Sequence, residues 1–197
     1  MPKAPRTRPK FATVTSKPVP PIDVPVGAIV VWTDGSCTGN GSRHAKGGYA
    51  CVVKDAAGKV APESGGWPLL DGVVPTNNRA EFSGFLRAAQ IADALDPPRD
   101  DPKDNRTLLV VTDSELLQKT VMSWLAGWKK RGWVRADGKP VANQDLCKAM
   151  IAACERRAIV VAHVRAHTDG EDEDSVMNSR ADELATEACA RGKHVPP

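Results

Sequence analysis

Two stretches of this chain carry the same pattern, an apolar run that closes on Thr-Asp. Ala28-Ile29-Val30-Val31-Trp32 leads into Thr33-Asp34-Gly35-Ser36, and Thr107-Leu108-Leu109-Val110-Val111 leads into Thr112-Asp113-Ser114. A short, continuous apolar run bounded by turn residues is the mark of a strand buried on both faces. Strands of that kind need helices above and below them. If the two are parallel neighbours, their C-terminal ends lie side by side at the strand spacing of about 4.8 Å. Asp34 and Asp113 then share the end of the sheet where open α/β folds place their sites.

The rest of the chain supplies the other elements. Residues 49–53 read as a second strand, residues 55–58 as a turn and residues 59–66 as a weaker third strand, giving an antiparallel meander. Phe85, Ala88, Ala89, Ala92 and Leu95 then recur at helical spacing. Asn78 is the expected N-cap of that helix, with Glu81 three residues on, and Pro97-Pro98 ends it. Residues 96–106 form a polar loop. Residues 115–155 look helical with a break over 132–140, residues 158–164 read as the last strand, and a final helix is expected from about Asn178 to Arg191. The expected order is β-β-β-α-β-α-α-β-α, an α/β fold with a mixed sheet and no internal repeat.

Composition narrows the class. With 197 residues, 41% hydrophobic and 26% charged, the chain is one ordinary domain with some to spare. No apolar run approaches the roughly 20 residues of a membrane helix, and no signal peptide opens it. A cytoplasmic protein with no membrane partner is expected. Five cysteines (37, 51, 147, 154, 189) without a Cys-x-x-Cys spacing argue against a disulfide framework or zinc knuckle and for reduced, mostly buried thiols. The net charge of +3 is uneven. Residues 1–27 hold Lys3, Arg6, Arg8, Lys10 and Lys17 against Asp23, are rich in Pro and poor in large apolar residues. They are expected to be disordered, either as a basic arm that adds non-specific affinity for nucleic acid or as a solubilising or expression remnant. Residues 28–192 then form the domain and residues 193–197 a short tail.

The chemistry rests on carboxylates where strands end or helices begin: Asp34, Glu81, Asp113 and Asp182. Each has a local explanation. Asp34 opens a turn dipeptide, Glu81 closes a box on Asn78, Asp113 precedes a helix beside Thr112 and Glu115, and Asp182 follows Ser179 at capping-box spacing. Taken together they mean more. Carboxylates gathered without Lys or Arg between them repel one another, and divalent cations would neutralise them. Hard oxygen ligands favour Mg²⁺ or Mn²⁺ over zinc.

Thr33-Asp34-Gly35-Ser36, Asn77-Asn78-Arg79-Ala80-Glu81, Thr112-Asp113-Ser114, His167 and Asp182-Glu183-Leu184-Ala185 appear in an order and spacing that resembles the type 1 ribonuclease H family over roughly residues 28–192. The resemblance implies a ribonuclease H-like fold, a five-stranded mixed sheet flanked by helices. It also implies endonucleolytic cleavage of the RNA strand of RNA/DNA hybrids with two Mg²⁺ ions, Mn²⁺ being a possible substitute, leaving 5′-phosphate and 3′-hydroxyl ends. Asp34 would bridge both ions. Asp182 would join it on the ion that activates water, and Glu81 and Asp113 would hold the ion at the leaving oxygen. His167 would take part in proton transfer or product release. His163 and His44 have no such support. A monomer is expected.

Trp124, Trp128 and Trp133 interleave with Lys129, Lys130, Arg131, Arg135 and Lys139. That mixture suits nucleic acid, with cations on phosphates and rings on sugars or bases. It also suits an amphipathic helix with buried Trp, and Trp124 is expected to be at least partly buried. The segment resembles the basic protrusion of bacterial family members. By the same resemblance Asn40, Asn77 and Asn78 would face 2′-hydroxyls, which amides can both donate to and accept from. Thr76 and Asn143 would hold a phosphate of the DNA strand.

The chain departs from the family pattern in places. Glu115 stands where a Gln often contacts RNA, which would shift metal or pH dependence. Val74 stands where some members have an Arg on the DNA phosphate. The first loop carries extra residues, 42–46. The loop before Asp182 is long and acidic (Asp169, Glu171, Asp172, Glu173, Asp174), as a solvated loop or a gate, and lacks the EF-hand register. Two other functions stay open: a hybrid-binding protein without catalysis, against which the complete acidic set speaks, and a superfamily nuclease acting on DNA, against which Asn77-Asn78 and the Trp/Lys segment speak.

Overall fold

A computed structural model describes residues 26–42, 44–54, 58, 60–66, 73–165 and 172–191. The strands are β1 (Ile29–Thr38), β2 (Lys46–Lys54), β3 (Val60–Gly66), β4 (Leu108–Thr112) and β5 (Ile159–His163). They form one five-stranded sheet in the order β3-β2-β1-β4-β5. β1 pairs antiparallel with β2 and parallel with β4, and β5 adds a second parallel pair on β4. The expected mixed sheet is therefore present.

β1 runs further than its apolar segment. It does not stop at Trp32 but continues through Asp34-Gly35-Ser36 to Thr38. The reason is β2, whose Tyr49, Gly48 and Gly47 pair with Gly35, Ser36 and Cys37. Polar residues extend a strand when a neighbour satisfies their backbone groups. The parallel ladder with β4 ends at Trp32↔Val111. Carried two residues further, that register sets Asp34 against Asp113.

The helices are α1 (Asn77–Leu95), α2 (Glu115–Lys119), α3 (Leu125–Lys130), α4 (Gln144–Arg156) and α5 (Glu173–Arg191), with a π-helical segment, Thr120–Trp124, between α2 and α3. The sheet's alternation divides the core. Ile29, Val31, Leu108 and Val110 face Phe82 and Phe85 of α1 and Leu146 and Met150 of α4. Val30, Trp32, Leu109 and Val111 face Ala181, Leu184 and Ala185 of α5. Both faces are covered, which is why these strands read as unbroken apolar runs. α5 lies directly on β2, since a Cβ on Gly48 would sit 2.3 Å from the Cys189 nitrogen.

Two helix starts differ from expectation. Thr76, not Asn78, caps α1: its backbone is extended and its hydroxyl accepts from the Arg79 N–H at 3.2 Å. Asn40 Oδ1 accepts from the Asn77 N–H at 3.1 Å, so a second free N–H of the first turn is met from the loop after β1. Glu81 is thereby released from a capping box. α5 begins at Glu173, five residues before the expected Asn178. Asp172 accepts from the Ser175 N–H at 3.0 Å, and Glu173 and Asp174 stand in the first turn, where negative charge suits the helix dipole. Trp32 Nε1 donates to Asp174 at 2.9 Å and Lys54 pairs with Glu173 at 2.6 Å, tying that turn to the sheet. Asp172, Glu173 and Asp174 thus belong to a helix start rather than a loop, while Asp169 and Glu171 lie outside the described residues.

At the other end α1 stops before Pro97 as expected, with Asp96 as its C-cap. The fully buried Arg157 donates to Asp93 at 3.0 Å and to the Arg106 carbonyl at 2.9 Å, closing the 96–106 loop onto the sheet. All five cysteines are free, with Cys51, Cys147 and Cys189 buried. Among the described residues no helix is long and apolar enough to cross a membrane. Nearly all of the N-terminal segment and all of the short C-terminal tail lie outside the described residues.

Candidate active site

Each acidic side chain arrives on a different element. Asp34 comes from β1, Glu81 from the second turn of α1, Asp113 from the residue after β4, and Asp182 from the middle of α5. Carboxylate oxygens of Asp34, Glu81 and Asp113 all lie within 4.8 Å of one another. Asp182 approaches the group from the α5 side, near enough for its charge to raise the Asp34 carboxyl. Asp182 and Ser179 both lie inside α5, and Asp113 leaves the capping of α2 to Ser114, so the local explanations of these carboxylates fall away.

The electrostatics are those of a crowded anionic site. Burial, then the Asp113 charge, with Asp182 adding, pushes the Asp34 carboxyl up to about 7. Burial, followed by Asp34, Asp113 and Asp182, holds Glu81 well above the usual carboxylate range. Glu81 Oε2 is buried and meets no hydrogen-bond donor among the described residues. A buried, unmet carboxylate oxygen is costly unless a cation or a proton serves it. An all-oxygen donor set with one such oxygen fits a hard divalent cation.

Two residues with no assigned role in the sequence belong to this site. Asn178 is buried on α5 one turn before Asp182, and its Nδ2 donates to Asp113 Oδ2 at 3.4 Å. Its Oδ1 is buried without a partner among the described residues. The i,i+4 spacing of Asn178 and Asp182 on one helix face was the available signal. His163, at the end of β5, donates from Nε2 to the Asp113 carbonyl at 3.1 Å and holds the turn that carries Asp113. His167 lies outside the described residues.

The candidate substrate residues fall beside the cluster. Asn40, Asn77 and Asn78 are exposed at the start of α1, with Thr76 half-buried at its cap. Trp124 is 37% exposed and its ring centroid lies 5.5 Å from that of half-buried Trp128, tilted by 41°. A groove of about 500 Å³ joins Asn78, Trp124, Trp128, Arg131 and Asn143 along one wall of the molecule. The π-helical segment shifts the register between α2 and α3 and sets Trp124 at the groove. Lys129 pairs with Glu155 of α4, and Lys130 and Arg131 are exposed at the end of α3. Trp133 is half-buried with Lys148 5.7 Å above its ring. Glu115 is exposed and held below the usual carboxylate range by Lys119, which it meets at 2.6 Å. Val74 is exposed.

Known proteins resemble this chain in sequence and in fold. The family model described as RNase H matches residues 27–190. The chain is 37% identical over 165 residues to a ribonuclease H of Thiobacillus denitrificans, covering 84% of this chain and 95% of that one. It is 34% identical over 164 residues to a ribonuclease H of Shewanella loihica, covering 83% of this chain and 89% of that one. Among solved structures, a foamy viral protease-reverse transcriptase in complex with RNA/DNA hybrid superimposes with a TM-score of 0.68 at 21% identity, over 94% of this chain and 24% of that one. LC9-RNase H1, a type 1 RNase H with the type 2 active-site motif, gives 0.64 at 24% identity, over 88% of this chain and 77% of that one. At these identities the superpositions speak to the fold.

Proposed function

The chain belongs to the ribonuclease H family of endonucleases, and from that premise we propose that it hydrolyses the RNA strand of RNA/DNA hybrids at the carboxylate cluster around Asp34. The observation that carries this is the convergence of Asp34, Glu81 and Asp113 within 4.8 Å. Asp34, Glu81, Asp113 and Asp182 would hold two Mg²⁺ ions, with Mn²⁺ as a substitute. Bound there, the ions supply an acidified water and neutralise charge on the scissile phosphate.

The chain's own residues do the rest. The four carboxylates fix the place of attack at the C-terminal edge of the parallel strands. His163 and Asn178 hold Asp113, one by its carbonyl and one by its carboxylate. Asn40, Asn77 and Asn78 are suited to 2′-hydroxyls of the RNA strand, since an amide donates and accepts at once. Trp124 and Trp128 offer rings to sugars or bases, while Lys129, Lys130 and Arg131 offer charge to phosphates. Thr76 and Asn143 take a phosphate of the DNA strand. His167 moves a proton or speeds product release. We assign catalysis to residues 28–192, in a monomer. Free, largely buried thiols support a reducing, cytoplasmic setting.

The test is a side-by-side assay of labelled RNA/DNA hybrid, double-stranded RNA and duplex DNA with Mg²⁺ or Mn²⁺. The wild type should cut the RNA strand of the hybrid alone, and Asp113→Asn should lose at least about a hundredfold in rate. Equal cutting by both proteins, or of duplex DNA as fast as hybrid, overturns the assignment.

A further inference from the structure

Arg79 is a charged residue that cannot reach solvent. It is 3% exposed, on the first turn of α1, and its guanidinium donates from both terminal nitrogens to the Asp145 carboxylate of α4, with Nη1 at 3.0 Å from Oδ1. Its charge is therefore paired inside the protein and is not offered to a ligand. A further side-chain bond, with a helix-capping bond beside it, sets it apart from an ordinary buried ion pair. Nη1 also donates to Asn143 Oδ1 at 3.2 Å, and the Arg79 backbone N–H donates to Thr76 Oγ1 at 3.2 Å.

Both bonds act on the acceptor atom of their partner. An amide NH₂ cannot accept from a guanidinium, so the bond fixes which end of Asn143 faces inward. Its Oδ1 is taken and its two N–H donors are turned outward. Thr76 accepts from the backbone N–H of residue 79, a helix-capping bond that any non-proline residue there would make, and its own O–H is left to donate elsewhere. The backbone of Asn143 is fixed independently, by a left-handed φ of 53° and by its carbonyl accepting the Cys147 N–H at 2.9 Å. Only the side-chain orientation remains, and Arg79 sets it. Asn143 lines the Trp124/Trp128 groove, so the outward donors face the proposed path of the substrate.

We propose that Arg79, braced by Asp145, is a positioning residue that makes Asn143, beside the Thr76 hydroxyl, a donor for a phosphate of the DNA strand. The inference deepens the hybrid-cleaving reading and rests on it. With Val74 beside Thr76 supplying no cation, hydrogen-bond donors carry this contact, and donors must be held in direction to serve an anion. Glu81 lies two residues beyond Arg79 on the same helix, so the residue that orients the DNA contact also shares a rigid element with the cleavage site.

The experiment measures kcat and KM on hybrid, with thermal melting, for Asn143→Ala, Arg79→Lys, Asp145→Asn, and each of the last two combined with Asn143→Ala. Arg79→Lys keeps the charge and loses the fork, and Asp145→Asn keeps an acceptor for one N–H. Expected are a roughly tenfold rise in KM for each single variant with kcat within about threefold, and no further rise when Asn143→Ala is combined with either. If Arg79→Lys does not fold, Asp145→Asn decides by the same criteria. Lowered melting with KM unchanged, or KM effects that multiply in the double variants, overturns the positioning role while hybrid cleavage stands. A KM unmoved by Asn143→Ala overturns it too. Absence of wild-type hybrid cleavage is the separate failure of the underlying reading, and takes the inference with it.

Discussion

Gly35 of β1 and Glu81 of α1 meet backbone to backbone: a Cβ on Gly35 would stand 2.2 Å from the Glu81 nitrogen. The neighbour is main chain, so it cannot rotate away. Gly35→Ala should push α1 off β1 and carry Glu81 away from Asp34. A stability loss of about 2–4 kcal/mol in denaturant unfolding, with hybrid cleavage reduced at least about a hundredfold, is expected. A variant of wild-type stability and rate would mean that the helix does not need this approach.

Asp34 makes the metal-free protein sensitive to pH. Its carboxyl is near 7 in the fold against 3.8 when unperturbed. The folded state therefore favours the protonated form. Stability is fully present below about pH 4 and is lost as pH climbs towards 7 and the group is forced to ionise. With chelator present, Asp34→Asn should raise the melting temperature at pH 8 by about 5–10 °C and change it little at pH 4. Melting curves at the two pH values check this, and the gap should close when Mg²⁺ is added to the wild type.

Asn178 anchors the Asp113 carboxylate without being acidic itself. Asn178→Ala should weaken Mn²⁺ binding by about tenfold in a calorimetric titration, the usual size of such a supporting contact. Metal-free stability should move by less than about 1 kcal/mol, because the change also removes a buried oxygen with no partner among the described residues. Unchanged affinity would reduce Asn178 to a packing residue.

Glu115 places an exposed negative charge near the proposed RNA path, held by Lys119. Glu115→Gln would remove that charge and add a donor. KM for hybrid should fall by about threefold at low salt, with the difference shrinking as salt screens the repulsion. An equal KM for both proteins at about 50 mM salt, where the Debye length still exceeds about 10 Å, would place Glu115 outside the substrate path.

Much of the frame is legible one residue at a time. Unbroken apolar runs at Ile29–Trp32 and Leu108–Val111 announce strands covered on both faces, and Pro97 stops α1 where a proline must. Other features depend on partners that no local pattern reveals. The extension of β1 to Thr38 needs Gly47, Gly48 and Tyr49 alongside. The early start of α5 at Glu173 is tied to Trp32 and Lys54, far away in the chain. Thr76 outcompetes Asn78 as cap because its backbone is extended where the helix enters, which composition does not disclose.

Hydrophobic periodicity, helix breakers and the recurrence of Thr-Asp were enough to read an α/β fold with Asp34 and Asp113 each closing a buried strand, because burial and chain termination are written locally, while the parallel pairing that sets the two side by side came from the sheet. Folding alone decided that Glu81 keeps a buried oxygen without a partner among the described residues, that Asn178 reaches Asp113, and that Arg79 turns Asn143 outward. Those outcomes depend on strand register and on how closely α1, α4 and α5 pack, and side-chain bonds a few ångström long form only once that packing has set the distances.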